Sequence, residues 1–262
     1  MCIHSRIVFT FFLVENLLTL STNENYETTY SDIAYTICRT TSKGDLPEKF
    51  DLRDLGYLSK IRNQGRCGAC WAFAALASVE SAYNRRTRIV HNRTRNHHFS
   101  EQELIDCSPN TGGCSGNIIS NGLKYVQLRG VVKSANYPYE ERQNPLGCRG
   151  AKGTRHTIKD HCIIFPPSVK RIQRLLKERE TAIAAMIEVN DFKKFSDYDG
   201  KSVITVDAST GEKFYHAVNI VGFKTTYWII RNSWGIEWGD KGYGYVNFGL
   251  YQIEENAFAV TL

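Results

Sequence analysis

The feature that most constrains the fold is a glycine- and cysteine-rich segment, residues 63–73, that runs directly into an alanine-rich one. After Cys70, apolar residues recur at helical spacing, at Ala72, Leu76, Val79 and Tyr83. Alanine is the best helix former, so we expect a largely buried helix that begins at Cys70. Unpaired N–H groups and the helix dipole stabilise an anion at that end. The position therefore favours a reactive thiolate at Cys70.

Three other interpretations of Cys70 are open from the residues alone. It could be a structural cysteine, or one half of a redox pair, because Cys67 and Cys70 form a C-x-x-C. It could also join Cys67, Cys107 and Cys114 in a metal site. The approach to Cys67 does not have the strand pattern that a redox motif follows, and Cys107 and Cys114 are too far apart for a zinc knuckle.

The string Q-G-R-C-G-A-C-W-A-F, residues 64–73, closely resembles the active-site segment of papain-like cysteine proteases. The resemblance extends from about Leu46 to the C-terminus. Within the family, residues 51–53, residues 163–167 and the position of Cys162 are most similar to the cysteine-protease allergens of mites. The resemblance implies a cysteine endopeptidase that needs neither a cofactor nor a metal.

The resemblance also implies the catalytic residues. Cys70 would be the nucleophile, His216 its base and Asn232 the acceptor that orients the His216 ring. Gln64 and the Cys70 backbone N–H would stabilise the oxyanion, and Trp234 would shield the histidine–asparagine bond from water. By themselves, a histidine on a strand and an asparagine in a glycine-closed turn are equally well read as structural residues.

Substrate contacts are implied at residues 113–119, which would bind an extended peptide through backbone hydrogen bonds. Many family members have two glycines where this chain has Gly116 and then Asn117, so a side chain would project towards the substrate. We expect an apolar pocket for the second residue before the scissile bond, formed by Ile118, Ile119 and either Ala185 or Met186. No acidic residue is apparent there, so a basic preference is not expected.

The chain has 8 cysteines. If Cys2 leaves with a leader and Cys70 stays reduced, six remain for three disulfides, whose connectivity the residues alone leave open. Resemblance to the family implies Cys67–Cys114 and Cys107–Cys148, and likeness to the mite enzymes implies Cys38–Cys162. Disulfides indicate an oxidising compartment, so we expect secretion or a lysosomal or digestive location. Asn92 begins an N-glycosylation triplet.

The predicted secondary structure changes from mainly helical to mainly strand along the chain. The first half has helical patterns, including a capping box at Ser100 that opens a helix to Cys107, and a stripe from Ile119 that ends at Gly130. After a helix capped by Ser168, strand patterns follow at 181–189, 216–223, 226–232, 243–248 and 257–262. We therefore predict an α+β papain-like fold in residues 38–262, with a helical lobe (about 46–150), a β-barrel-like lobe (about 151–262) and the active-site cleft between them.

Residues 1–22 fit a signal peptide or a disordered N-terminus, and residues 23–37 a short remnant pro-region or disorder. The family's helical pro-region pattern is not visible, so we expect no autoinhibition in cis. The net charge of +6 is partly local to residues 85–95, which lack interleaved aromatics and favour a solvated loop over a nucleic-acid arm. We expect the partners to be protein or peptide substrates and cystatin-like inhibitors, and neither nucleic acid nor a membrane. We also expect the protein to be a monomer.

One alternative function comes from a different class. A catalytically silent papain-like homologue could act as a binding or decoy protein. Such homologues usually lose the cysteine, histidine or asparagine of the site. This chain keeps Cys70, His216 and Asn232 together with Gln64, which favours the enzyme.

Overall fold

A computed structural model describes residues 36–41, 44–88, 97–109, 112–208 and 211–262. Its helices lie mainly in the first half of the chain. They are α1 (Leu52–Leu55), α2 (Cys70–Arg86), α3 (Glu101–Cys107), α4 (Ile119–Arg129), α5 (Val169–Arg179) and α6 (Phe192–Ser196). Short 3-10 turns occur at Gly113–Ser115, Ser134–Asn136 and Leu250–Gln252.

The strands form one sheet, mostly from the second half of the chain. They are β1 (Thr36–Ile37), β2 (Phe50–Asp51), β3 (Asp160–Ile163), β4 (Ile183–Val189), β5 (Phe214–Phe223), β6 (Tyr227–Arg231), β7 (Tyr243–Asn247) and β8 (Ala257–Thr261). The order is β1-β3-β8-β4-β5-β6-β7, and β2 pairs with β5. The short β1–β3 pair is parallel and the other pairs are antiparallel. Strand β5 is central because it pairs with β2, β4 and β6 and also contacts α2.

Two hydrophobic cores lie on either side of the contact between α2 and β5. The helical core surrounds α2 and includes Trp71, Leu76 and Leu123. The sheet core contains Trp228, Phe195 and the inner residues of β4 to β7. Helix α2 is buried almost all round, because its alanines let α4 and the sheet approach closely. The added Cβ of any larger residue at Gly122 of α4 would lie 3.2 Å from the Trp71 ring, which shows how tight that packing is.

The α+β class and the papain-like architecture predicted from the sequence are confirmed. The predicted helices at Cys70, Ser100, Ile119 and Ser168 and all five predicted strands are present, with ends shifted by a few residues. The short elements α1, α6, β1, β2 and β3 were missed, because two to five residues carry too little periodicity. Residues 1–35, including the predicted leader, and Asn92 lie outside the described residues.

The capping box at Ser100 is only half formed. The Ser100 Oγ accepts a hydrogen bond from the Glu103 backbone N–H at 3.0 Å, as an N-cap should. Glu103 does not return a bond to Ser100, whose N–H donates to the Val132 carbonyl instead. The Glu103 carboxylate accepts from the Val132 N–H and the Tyr125 hydroxyl and pairs with Arg155. It therefore joins three separate segments beneath α3.

Candidate active site

Cys70 is the first residue of α2 and is buried, with 2% of its surface exposed. Ala69 is the N-cap residue and supplies no side-chain cap. The loop before it is held by the Cys67–Cys114 disulfide and by a 2.8 Å bond from the Gly68 N–H to the Cys114 carbonyl. Cys67 is therefore bonded to Cys114 and not to Cys70, which removes the redox pair considered above.

The structure contains the three disulfides that the family resemblance implied: Cys38–Cys162, Cys67–Cys114 and Cys107–Cys148. Among the cysteines of the described residues, Cys70 is the one outside a disulfide. The cysteines that a metal site would have needed besides Cys70 are thus bonded to one another or to Cys148. Cys38–Cys162 reinforces the parallel pairing of β1 with β3.

His216 lies near the start of β5 and is completely buried. Its Nε2 is 2.7 Å from Oδ1 of Asn232, which follows β6. Asn232 Oδ1 also accepts the Ser233 N–H at 2.8 Å, so the orientation of the amide is determined. Because an amide oxygen only accepts, His216 Nε2 must carry a proton. His216 Nδ1 has no hydrogen-bond partner among the described residues and is the nitrogen able to take up a proton.

An aromatic cluster surrounds the His216 ring. Trp234 lies 4.6 Å from it between ring centroids, Phe214 lies at 5.9 Å and Phe195 at 6.1 Å. These rings exclude water from the histidine–asparagine pair, where the lower local dielectric strengthens its hydrogen bond. The sequence indicated Trp234 but missed Phe195 on α6, because nothing in a five-residue helix shows which side chain faces the site.

Gln64 is buried and connects the two sides of the site. Its backbone N–H donates to the Ser233 carbonyl at 2.8 Å, and its side-chain Oε1 accepts from Ser233 Oγ at 2.6 Å. Its Nε2 donates one hydrogen bond to the Cys67 carbonyl at 2.9 Å. Ser233 thus contacts Gln64 and, through its N–H, Asn232. Ser233 was missed although it stands between two singled-out residues, because a serine there has no distinctive pattern.

The residues expected to bind substrate differ in exposure. Gly116, Asn117, Ile118 and Met186 are partly exposed, and Trp234 is also partly exposed. Ile119 is 1% exposed and Ala185 is fully buried, so both belong to the cores and offer almost no surface to a peptide. The Asn117 side chain accepts hydrogen bonds at 2.8 Å from the Ile118 N–H and from Asn121 Nδ2, which turns its oxygen towards α4.

Charged residues are buried behind the Asn232 side of this site. Arg62 pairs with Glu80 and with Glu101, each at 2.6 Å. Burial raises the pKa of Glu101 to about 7, against the opposing effect of Arg62. Burial also lowers the pKa of Arg231, the residue before Asn232. Protonation of Glu101 is therefore sensitive to pH close to neutrality.

The chain belongs to the papain family of cysteine proteases, whose family model matches residues 46–261. The fold described above is the papain-like fold of that class. It is 42% identical over 231 residues to Peptidase 1 of Dermatophagoides farinae, covering 86% of this chain and 68% of that protein. It is 38% identical to Peptidase 1 of Euroglyphus maynei, covering 94% of this chain and 75% of that protein. The chain thus spans about two thirds to three quarters of these relatives.

Solved structures give the same result. A structure that explains the limited antibody cross-reactivity between the mite allergens Blo t 1 and Der p 1 superposes with a TM-score of 0.70 at 30% identity, covering 87% of this chain and 75% of that one. A Carica candamarcensis cysteine protease in complex with E-64 superposes with a TM-score of 0.70 at 28% identity, covering 82% of this chain and 99% of that one. Within the described residues, no helix is both long and apolar enough to cross a membrane.

Proposed function

We propose that the chain is a secreted cysteine endopeptidase in which Cys70 and His216 form a thiolate–imidazolium pair. The observation that carries this proposal is the 2.7 Å contact between His216 Nε2 and Asn232 Oδ1, which leaves Nδ1 as the proton acceptor. Cys70 supplies the nucleophile from the first turn of α2, where the helix dipole favours its anion. The three disulfides support secretion or a lysosomal or digestive compartment.

The reaction balances as an acyl transfer. The Cys70 thiol gives its proton to His216 Nδ1, and the thiolate attacks the carbonyl carbon of the scissile peptide bond. The carbonyl oxygen becomes an oxyanion, stabilised by the Cys70 backbone N–H and by the Gln64 amide, each such donor contributing roughly 3 kcal/mol. The C–N bond then breaks, and His216 returns its proton to the leaving amine. Water, deprotonated by His216, hydrolyses the thioester and restores the thiol.

Substrates are proposed to be proteins or peptides bound in extended form along residues 113–118. Ile118 and Met186 are the partly exposed apolar residues of the proposed pocket, so Leu, Val or Phe is preferred at the second position before the scissile bond. Fluorogenic peptides that differ only at that position measure this preference. Faster cleavage with Arg there would refute the assignment of Ile118 and Met186.

A thiol-directed epoxide of the E-64 class tests the catalytic proposal directly. Folded protein should be labelled at Cys70 and lose its peptidase activity in proportion to labelling. Cys70→Ser should be neither labelled nor active, while Ser202→Ala, a substitution of an exposed serine outside the proposed substrate-binding residues, should keep both. Folded protein that is unlabelled and inactive would instead support the silent binding homologue.

A further inference from the structure

The buried arginine before the catalytic asparagine lacks a direct counter-charge. Arg231 is 4% exposed, and its Nη2 donates to Ser59 Oγ at 3.1 Å and to the Lys60 carbonyl at 2.8 Å. Within the described part of the chain, no carboxylate lies within ion-pair distance of it. Its Nη1 has no hydrogen-bond partner among those residues. A buried cation without a carboxylate in direct contact costs free energy, so an anion bound directly to Arg231 would stabilise the folded state.

The nearby carboxylates are engaged elsewhere. Arg62 Nη2 pairs with Glu80 and Arg62 Nη1 with Glu101, both at 2.6 Å. The other oxygen of Glu80 accepts a hydrogen bond from Ser59 Oγ. Arg62 Nε is left buried without a partner in the described part of the chain. Both glutamates therefore pair directly with Arg62, and only Glu80 is linked to Arg231, through Ser59.

Both arginines line a small cavity beside the active site. The space open to the centre of a water-sized sphere is about 10 Å³, which is room for one small particle. Asn232 also lines it, and its Nδ2 is buried without a partner among the described residues. The Asn232 amide cannot turn over, because its oxygen already accepts from His216 and from the Ser233 N–H. Among the described residues that line the cavity, every buried side-chain atom without a hydrogen-bond partner is thus a donor.

We propose that this cavity is a binding site for a monovalent halide ion, chloride under ordinary conditions. The ion accepts hydrogen bonds from Arg231 Nη1, Arg62 Nε and Asn232 Nδ2. A water molecule in this cavity would also need acceptors for its two hydrogens, whereas a halide ion only accepts hydrogen bonds. A cavity whose unpartnered groups are all donors therefore favours a halide over water. The ion supplies the counter-charge that Arg231 lacks and holds the amide that orients His216. This site goes beyond the proposed peptidase activity and does not depend on it.

Thermal unfolding tests the site without any readout of activity. Cys70 is first alkylated so that the protein cannot digest itself. Sodium chloride is then titrated against sodium gluconate at constant ionic strength, since gluconate is too large for the cavity. Chloride should raise the Tm saturably, by roughly 3 °C, because a ligand that binds the folded state stabilises it. The same Tm in both salts would overturn the proposal.

Two variants separate the site from a general salt effect. Ala77→Val fills part of the cavity from α2 and keeps all four charged residues, so the response to chloride should be lost. Ala82→Val makes the same change at a buried position of α2 outside the lining and should keep the response. Arg231→Met removes the charge that needs the ion and should also abolish it. A response of equal size in Ala77→Val and Ala82→Val contradicts the proposal.

Bromide identifies the occupant directly. Crystals of the alkylated protein grown in sodium bromide should show an anomalous peak within hydrogen-bond distance of Arg231 Nη1 and Asn232 Nδ2. A peak of ordinary electron density there without anomalous signal would show that water fills the cavity, and the halide site would be refuted.

Discussion

The helical and sheet regions are stabilised in different ways. Around α2, buried carboxylates bind the ends of loops: Glu103 joins α3 to Val132, Tyr125 and Arg155, and Asp106 accepts from Tyr137 and Asn144. The sheet core is instead filled by aliphatic and aromatic side chains between paired strands. Strands satisfy their own backbone groups, whereas the segments between helices need side chains to do so. Polar side chains in the helical region thus replace the strand-to-strand hydrogen bonds of the sheet.

The proposed active site is stabilised in both ways. Cys70 is held by a helix end, a disulfide and backbone bonds, and His216 by a strand and a cluster of aromatic rings. Gln64 and Ser233 join the two sides by hydrogen bonds. The comparison predicts that deleting apolar volume damages the sheet core most, and that deleting a single carboxylate damages the helical region most.

The largest effect is expected in the sheet core. Trp228→Ala removes a fully buried ring and leaves the Glu254 carboxylate without the indole donor at 2.6 Å. We expect a loss of about 4 kcal/mol in the free energy of unfolding, measured by urea denaturation. Ile236→Ala, at a position 61% exposed, is the control and should be close to wild type. A similar small loss in both variants would mean that the sheet core is not the main source of stability there.

In the helical region, loss of the Glu103 carboxylate should lower the free energy of unfolding nearly as much. Glu103→Ala leaves the Val132 N–H, the Tyr125 hydroxyl and Arg155 without their shared acceptor, so we expect a loss of about 3 kcal/mol by the same measurement. Glu140→Ala removes a surface carboxylate paired with Arg149 and should leave the stability nearly unchanged. Equal stability of the two variants would contradict the role assigned to Glu103.

The stability of the folded state should depend on pH through Glu101. Burial raises the pKa of Glu101 to about 7 from its ordinary 4.5, so the folded state holds a proton there that the unfolded state releases. This stabilisation is complete below about pH 4.5 and is lost as the pH rises through about 7. Glu101→Gln should remove it, so the difference in unfolding free energy between variant and wild type should change by about 3 kcal/mol across that range. A difference that is constant with pH would contradict the shift.

The smallest effect is expected from the serine N-caps, one of which lies in each region. Ser100 Oγ accepts the Glu103 N–H at 3.0 Å and donates to the Tyr137 carbonyl, while Ser168 Oγ accepts the Arg171 N–H at a longer 3.4 Å. Ser100→Ala should cost about 1.5 kcal/mol of stability and Ser168→Ala about 0.5 kcal/mol, by urea denaturation. The opposite order would show that burial and the second bond at Ser100 contribute little.

Local structure and family membership could be predicted from the sequence. The 3.6-residue period predicted α2 to begin at Cys70, and the order of helices and strands predicted the α+β class, because both depend on residues close in the chain. The family resemblance of the segments around Cys70, His216 and Asn232 indicated these residues and Gln64 as candidates. No local rule could show that Phe195 packs against His216 or that Ser233 contacts Gln64.

Which side chains are buried together depends on contacts between residues that are distant in the chain, and these became visible in the three-dimensional structure. Ile119 and Ala185 are apolar, as a substrate pocket requires, but both are buried in the hydrophobic cores. Packing, and not hydrophobicity alone, determines which apolar side chains stay exposed to solvent. Arg62, Glu80, Glu101 and Arg231 are far apart in the chain and look like ordinary surface charges in the sequence. The fold places them together beside Asn232, and burial there raises the pKa of Glu101 and lowers the pKa of Arg231.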